Sequence, residues 1–192
     1  MRDIALIGRM GSGKDAIAAH LCSAHGYTRI AFADGVRDMA LEIDPLIAGR
    51  TVINMFGDAG NEVFRLSEIV GEAGWDAAKR EHPEVRRILQ HCGMTVRRLQ
   101  SYLWLNAGLA KLDALDFADA VFTDVRFTNE ADALRDRGFA VVRVVRASAQ
   151  AAEGAQHVSE TELDDYPVDD VVYNDGSLAD LAQSVDAMLA GA

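Results

Sequence analysis

One octapeptide constrains this chain more than any other feature. Gly8-Arg9-Met10-Gly11-Ser12-Gly13-Lys14-Asp15 fits the pattern G-x-x-x-x-G-K, between an apolar run, Ile4-Ala5-Leu6-Ile7, and a stretch of helical spacing, Asp15 to His25. Strand, glycine loop and helix in that order are the context the pattern requires. The glycines let successive backbone N–H groups turn inward around a polyphosphate, and the helix N-terminus adds its partial positive charge. Arg9, Gly11, Ser12, Gly13 and Lys14 are therefore the candidate ligands of a nucleotide's phosphates, with Lys14 reaching the β- and γ-phosphates. The position after Lys14, which commonly carries a Ser or Thr hydroxyl for Mg²⁺, holds Asp15. A carboxylate can also hold Mg²⁺, or can simply favour the first helical turn.

The rest of the chain supplies the scaffold such a loop needs. Strands are expected at Ile4–Ile7, Thr28–Ala33, Ala118–Thr123, Phe139–Val145 and Val171–Tyr173. Helices are expected at Asp15–His25, Thr128–Arg137 and Ser177–Leu189. Val36 to Leu112 shows helical spacing in pieces, broken at Pro45, Gly57, Gly60, Gly71, Gly74, Pro83 and Gly93, and reads as an all-helical insertion. The alternation of strands and helices predicts an α/β, three-layer fold around a five-stranded parallel sheet. Ligands in such sheets bind beyond the carboxyl ends of the strands, so the residues following each run deserve the closest reading.

Asp124 ends the third apolar run, where an acid can hold Mg²⁺ or orient the transferring group; the alternative is a turn or capping aspartate. Arg126 follows within reach of a phosphate, and Asn129 and Glu130 stand at the next helix start. Asp34 and Arg37 follow the second strand, suited to a sugar hydroxyl or base and to a monophosphate. Six Lys/Arg face two acids between Lys79 and Arg98. Of these, Lys79, Arg80, Arg86 and Arg87 read as a solvated face. Arg97 and Arg98 follow the Gly93-Met94-Thr95 break, where a new helix capped by Thr95 would put guanidinium groups at a helix start. Such a placement opposes the helix dipole and would be relieved by an anionic ligand. Trp104 offers a base-stacking surface or core filling. His157-Val158-Ser159-Glu160 lacks the oxyanion-hole context of a hydrolase.

Charge narrows the partner class. The formal net charge is −11, yet residues 148–192 hold ten acids and no Lys or Arg, leaving the first 147 residues with 19 bases against 20 acids. A polynucleotide or an anionic membrane needs more cations than that, whereas a single nucleotide does not. Cys22 and Cys92 fit no disulfide framework or Cys/His metal pattern and are expected as buried free thiols. The opening residues look like a first core strand rather than a secretory signal, and no apolar run reaches membrane-span length, so a cytoplasmic protein is expected.

With these motifs placed, the chain resembles the deoxynucleoside monophosphate kinases of bacteriophages, a branch of the P-loop nucleoside monophosphate kinases. The resemblance rests on Gly8–Asp15 with Asp after GK; Phe32-Ala33-Asp34; Leu89-Gln90 with Gly93 and Arg98; Asp124-Val125-Arg126-Phe127 with Asn129-Glu130; His157-Val158-Ser159-Glu160; and Asn174-Asp175-Gly176-Ser177. It implies a single P-loop kinase domain with its core at 1–35 and 113–192, a helical monophosphate-binding insertion at about 36–112 and a lid at about 147–166. It further implies ATP-dependent phosphorylation of a deoxynucleoside 5′-monophosphate, with Mg²⁺ on Asp15 and Asp124. Lys14, Arg126 and Asp124 would be catalytic and Arg146 would assist the nucleotide. Asp34, Arg37, Gln90, Arg98, Trp104 and Glu130 would bind the acceptor. The expected partner is that small molecule, with no nucleic-acid polymer, no membrane and homodimerisation left open; a phage origin would place the protein in the host cytoplasm. Two features depart from the family. The lid carries no arginine after Arg146, so charge neutralisation falls to Arg126, Arg143 or Arg146, and Met94 replaces a small polar residue. A phosphomevalonate-type kinase and a non-catalytic nucleotide-binding regulator are the alternatives.

Overall fold

The computed structural model describes residues 2–53, 59–115, 119–150 and 161–191. Two compact units emerge: residues 1–32 with 108–192, and residues 33–107.

The first unit is built on the parallel sheet. Its strands are β1 (Ile4–Ile7), β2 (Thr28–Ile30), β5 (Ala120–Phe122), β6 (Ala140–Val145) and β7 (Asp170–Tyr173), in the spatial order β2-β5-β1-β6-β7. β1 lies at the centre, buried along its whole length, which is why it reads as an unbroken apolar run. Helix α1 (Lys14–His25) and the last helix, α8 (Leu178–Ala190), pack on one face. There Ile17, Leu21, Leu181 and Val185 meet Ile4, Leu6, Val121, Val142 and Val144. On the other face Phe32, Phe122 and Phe139 stack in sequence, with centroids 4.7 and 5.6 Å apart. Gly108 allows that stack, since a Cβ there would sit 2.5 Å from the Phe32 ring.

Both α1 and α8 show their ends in the sequence. Gly26, at φ 74°, closes α1 and donates its N–H to Leu21 O. Ser177 opens α8 reciprocally with Asp180: Asp180 N–H donates to Ser177 Oγ, and Ser177 N–H to the Asp180 carboxylate at 2.8 Å. Helix α6 (Thr128–Asp136) joins β5 to β6, and the short α7 (Ala147–Gln150) follows β6. The sequence reading of a lid over 147–166 falls partly outside the described residues, as does the whole of His157-Val158-Ser159-Glu160.

The second unit corrects the expectation of an all-helical insertion. It holds α2 (Ala33–Ile43), α3 (Leu66–Glu81) and α4 (Pro83–Leu99), and α5 (Leu103–Asp113) begins within it. It also contains an antiparallel hairpin, β3 (Leu46–Ile53) with β4 (Ala59–Arg65). The period-two pattern is blurred because apolar residues occupy the solvent side. Leu46 and Val63 are 59% and 53% exposed, while Ile47 is fully buried. The register also shifts between Ala48 and Thr51. Thr51-Val52-Ile53, a β-branched run next to Gly57 and Gly60, is the one local signal that could have marked a strand, and the helical reading passed over it. The unit has its own core of Ala40, Ile47, Leu66, Ile69, Ala78 and Val85.

Two expected breaks also differ. Gly71 does not interrupt α3; the kink sits at Gly74, with φ 75°. Gly93 does not end a helix, since α4 runs unbroken through it to Leu99. Cys22 and Cys92 are free thiols, as expected, but half-buried rather than buried. Among the described residues, no helix is long and apolar enough to cross a membrane.

Candidate nucleotide site

The loop between β1 and α1 is a glycine-built cradle. Gly8, Gly11 and Gly13 have φ of 136°, 78° and 108°, conformations that residues with a Cβ rarely adopt. Space is a second requirement at two of them. A Cβ on Gly8 would lie 2.4 Å from the Val144 carbonyl oxygen, and one on Gly13 would lie 2.2 Å from the Asn174 amide nitrogen. Among the described residues nothing crowds Gly11 within 4 Å, so its requirement there is conformational alone. Ser12 N–H closes a turn on Arg9 O at 3.1 Å, and the Lys14 ammonium donates to Gly8 O and Arg9 O at 2.5 and 2.9 Å. The Ser12 hydroxyl is fully buried with no hydrogen-bond partner among the described residues, as is the Thr123 hydroxyl at the end of β5. An orphaned buried hydroxyl is costly by itself, and one inside a ring of glycines fits a site for an oxygen-rich anion.

Asn174 was legible in the sequence only as part of a turn, yet it props this loop. It lies at the end of β7, 7% exposed; its N–H donates to Val145 O, and its side-chain amide donates to Ser12 O at 2.8 Å. The carbonyl that would otherwise be stranded beneath the loop is thereby satisfied, and the loop is tied to the sheet.

Neighbouring strand ends carry the other first-unit candidates. β5 and β6 flank β1 in parallel, so Asp124, Arg126 and Arg146 follow strands whose carboxyl ends lie at the same sheet edge as Gly8. Asp124 is half-buried and accepts Phe32 N–H at 2.8 Å, so one oxygen anchors the chain leaving β2. Asp15 is exposed on the first turn of α1. Both are hard oxygen donors of the kind that suit Mg²⁺. Arg146 is exposed. Arg143 donates to Tyr166 O at 2.7 Å.

Glu130 has a different place from that of a substrate ligand. It is 3% exposed, and its carboxylate accepts the backbone N–H groups of Arg126 at 2.9 Å and Phe127 at 3.2 Å. A charged acceptor at the start of α6 satisfies donors the helix cannot and suits its dipole. Glu130 therefore holds the backbone that presents Arg126. The segment after residue 160 docks beside it: Glu162 accepts Thr128 N–H at 2.9 Å, and Asp164 pairs with Arg9 at 2.7 Å. Tyr166 donates to Asp132 at 2.7 Å and lies under the Arg135 guanidinium. Burial, with the Asp132 bond, pushes its phenol up to about 12.

The other acceptor-side candidates lie in the second unit. Arg37 pairs with Asp34 at 3.1 Å, both half-buried, and its guanidinium stands 5.9 Å from the Trp75 ring. Trp104 is 7% exposed; its indole N–H donates to Gly93 O at 3.0 Å, and Gly35 leaves room for its ring. This burial agrees with core filling and leaves little ring surface for a base. Gln90 and Arg98 are exposed on α4. Arg97 and Arg98 occupy the last turn of that helix, not a helix start. Cations there complement the dipole, so the predicted conflict that called for an anionic ligand does not exist. The misplacement came from reading Gly93 as a terminator. A single glycine in an otherwise good helix weakens it by only about 1 kcal/mol.

Comparison with known proteins follows the same direction. A family model described as deoxynucleotide monophosphate kinase matches residues 46–185. Among curated proteins nothing matches the sequence. Among solved structures, TT1252 from Thermus thermophilus is similar at 19% identity, with 100% of this chain and 98% of that chain covered and a TM-score of 0.48. A presumed kinase from Chloroflexus aurantiacus is similar at 14% identity with the same coverage and a TM-score of 0.36. These structural likenesses are too loose to bear on function, whereas the family match covers well over half the sequence: the chain belongs to the deoxynucleotide monophosphate kinase family.

Proposed function

We propose that the protein transfers the γ-phosphoryl group of ATP to a deoxynucleoside 5′-monophosphate, yielding the diphosphate. The observation that carries this reading is the glycine cradle of the β1–α1 loop, with Lys14 at its helix start and the unpartnered Ser12 hydroxyl inside it. In this reading the N–H groups of Gly11 to Lys14 bind the ATP phosphates, and Lys14 exchanges its bonds to Gly8 O and Arg9 O for phosphate oxygens. Arg126, on backbone held by Glu130, neutralises charge on the group in flight. Mg²⁺, when bound, supplies further neutralisation of the phosphates; Asp15 and Asp124 are the carboxylates available to hold it.

Arg37 and Arg98 grip the acceptor phosphate, with Asp34 keeping Arg37 oriented. Trp104 acts on the acceptor only indirectly, through the packing of α2, α4 and α5. The acceptor is already an anion near neutral pH, so no strong general base is needed; positioning and electrostatics carry the reaction. Arg9 and Arg146 contribute at the nucleotide side.

The test incubates the protein with ATP, Mg²⁺ and each deoxynucleoside monophosphate in turn and follows ADP and diphosphate formation. Turnover that depends on one or more acceptors is expected. Lys14→Ala should lower it by on the order of 10²–10³-fold or more while the fold persists. ATP hydrolysis that no acceptor accelerates would overturn the assignment.

A further inference from the structure

Three ligating side chains converge at the end of α1 that lies farthest from the phosphate loop. His20 and His25 follow Lys14 by six and eleven residues, about 9 and 16 Å along the helix at 1.5 Å per residue. Both direct Nε2 at the same oxygen of Asp186 on α8, at 2.6 and 2.7 Å. The ring centroids are 5.4 Å apart, with planes at 78°. The three ligand atoms lie within 4.8 Å of one another, the one such grouping of His, Cys, Asp and Glu among the described residues. Each imidazole is about three-quarters buried, and the Asp186 side chain is 51% exposed.

We infer that His20, His25 and Asp186 form a binding site for a divalent transition-metal ion such as Zn²⁺. Two imidazole nitrogens and one carboxylate oxygen are a donor set that favours borderline transition metals over Mg²⁺ or Ca²⁺, which prefer oxygen. Both rings are largely buried, which limits the ordering required of them on binding. The metal needs modest adjustment. Tetrahedral Zn²⁺ with bonds of about 2.0–2.1 Å separates its ligand atoms by about 3.3 Å. The carboxylate oxygen must therefore retreat by about 0.7 Å, a shift open to an exposed aspartate, while the two imidazole nitrogens, within 4.8 Å of each other, close toward the same spacing. Three protein ligands leave one position for water, which the exposed side of the cluster admits.

Helix α8, which carries Asp186, has no Lys or Arg of its own to compete with a bound cation. As hydrogen bonds alone, two histidines on a half-exposed carboxylate add little stability. With a metal, the same atoms fasten α8 to α1 and so brace the helix that begins at Lys14. None of the three residues is among those assigned to nucleotide binding, and the site's existence does not depend on the proposed reaction.

The experiment uses tag-free full-length protein, stripped with a chelator and titrated with ZnCl₂ by calorimetry at about pH 7.5, with and without excess MgCl₂. One saturable equivalent, not displaced by MgCl₂, is expected. The double variant His20→Gln/His25→Gln and the single variant Asp186→Asn should each weaken it at least about tenfold, with unchanged circular dichroism. In parallel, Co²⁺ bound to the wild-type chain should show ligand-field bands without a thiolate charge-transfer band, which needs no variant to fold. Absence of saturable binding would overturn the site. So would undiminished binding in the folded double variant, or a thiolate band, which would move the metal to Cys22 or Cys92.

Discussion

The contact between Gly13 and Asn174 allows the phosphate loop's construction to be tested by stability alone. Asn174→Ala removes a buried amide donor and strands the Ser12 carbonyl, a loss of about 1–3 kcal/mol. Gly13→Ala incurs two penalties. A side chain at φ 108° strains the backbone by about 1–3 kcal/mol. The new Cβ, 2.2 Å from the Asn174 nitrogen, also expels the amide and forfeits the same hydrogen bond, for a total of about 2–6 kcal/mol. In the double variant that bond can be lost only once. Asn174→Ala should therefore destabilise the wild-type background by about 1–3 kcal/mol and the Gly13→Ala background by less than about 0.5 kcal/mol. Gly11→Ala is the control, because no described residue lies within 4 Å of its added Cβ. It should show the backbone penalty alone and combine additively with Asn174→Ala. Urea denaturation followed by circular dichroism measures all five variants. If Gly13→Ala and Asn174→Ala add within about 0.5 kcal/mol, the amide is not the group beneath the loop and the reasoning fails.

Other consequences are more direct. Arg98→Ala should raise the acceptor KM by about tenfold with little change in kcat, the signature of lost ground-state binding; steady-state kinetics indistinguishable from wild type would place the acceptor phosphate elsewhere. Glu130→Ala, which deprives two backbone N–H groups of a charged acceptor, should destabilise the first unit by about 1.5–3 kcal/mol and lower kcat through a displaced Arg126; Glu130→Gln should restore part of both. Burial, reinforced by Asp119 and Asp3, pushes the Tyr27 phenol up to about 12. Unfolded tyrosine ionises near 10, so above that pH the unfolded chain sheds a proton that the native chain retains. Tyr27 thus contributes stability that is complete below pH ~10 and lost as pH rises toward ~12, and Tyr166 behaves alike. Replacing both by Phe should flatten the fall in urea midpoint across that window; an unaltered slope would assign it to other groups.

How far the sequence could be read depended on how local each cause was. The β1 run, the glycine loop and the start of α1 were legible because burial, positive φ and helix initiation act on adjacent residues. The Ser177–Asp180 cap is equally local. The hairpin of β3 and β4 was not legible, because its exposed Leu46 and Val63 put apolar residues on the wrong face for a strand pattern. Arg97 and Arg98 were assigned to a helix start when they close one, since a lone Gly93 does not decide whether seventeen residues stay helical.

The sequence by itself determined that this chain carries a glycine loop between strand and helix on a parallel α/β sheet, because φ/ψ preference and hydrophobic period are properties of neighbouring residues. Tertiary structure alone decided what supports that loop. Asn174 reaches Ser12 across 162 residues, Asp186 reaches His20 across 166, and Glu130 turns from substrate ligand to buried backbone anchor. Such roles depend on which strand ends share an edge and which helices share a face. Burial and hydrogen-bond satisfaction set those once the chain has closed on itself, and no local pattern encodes them.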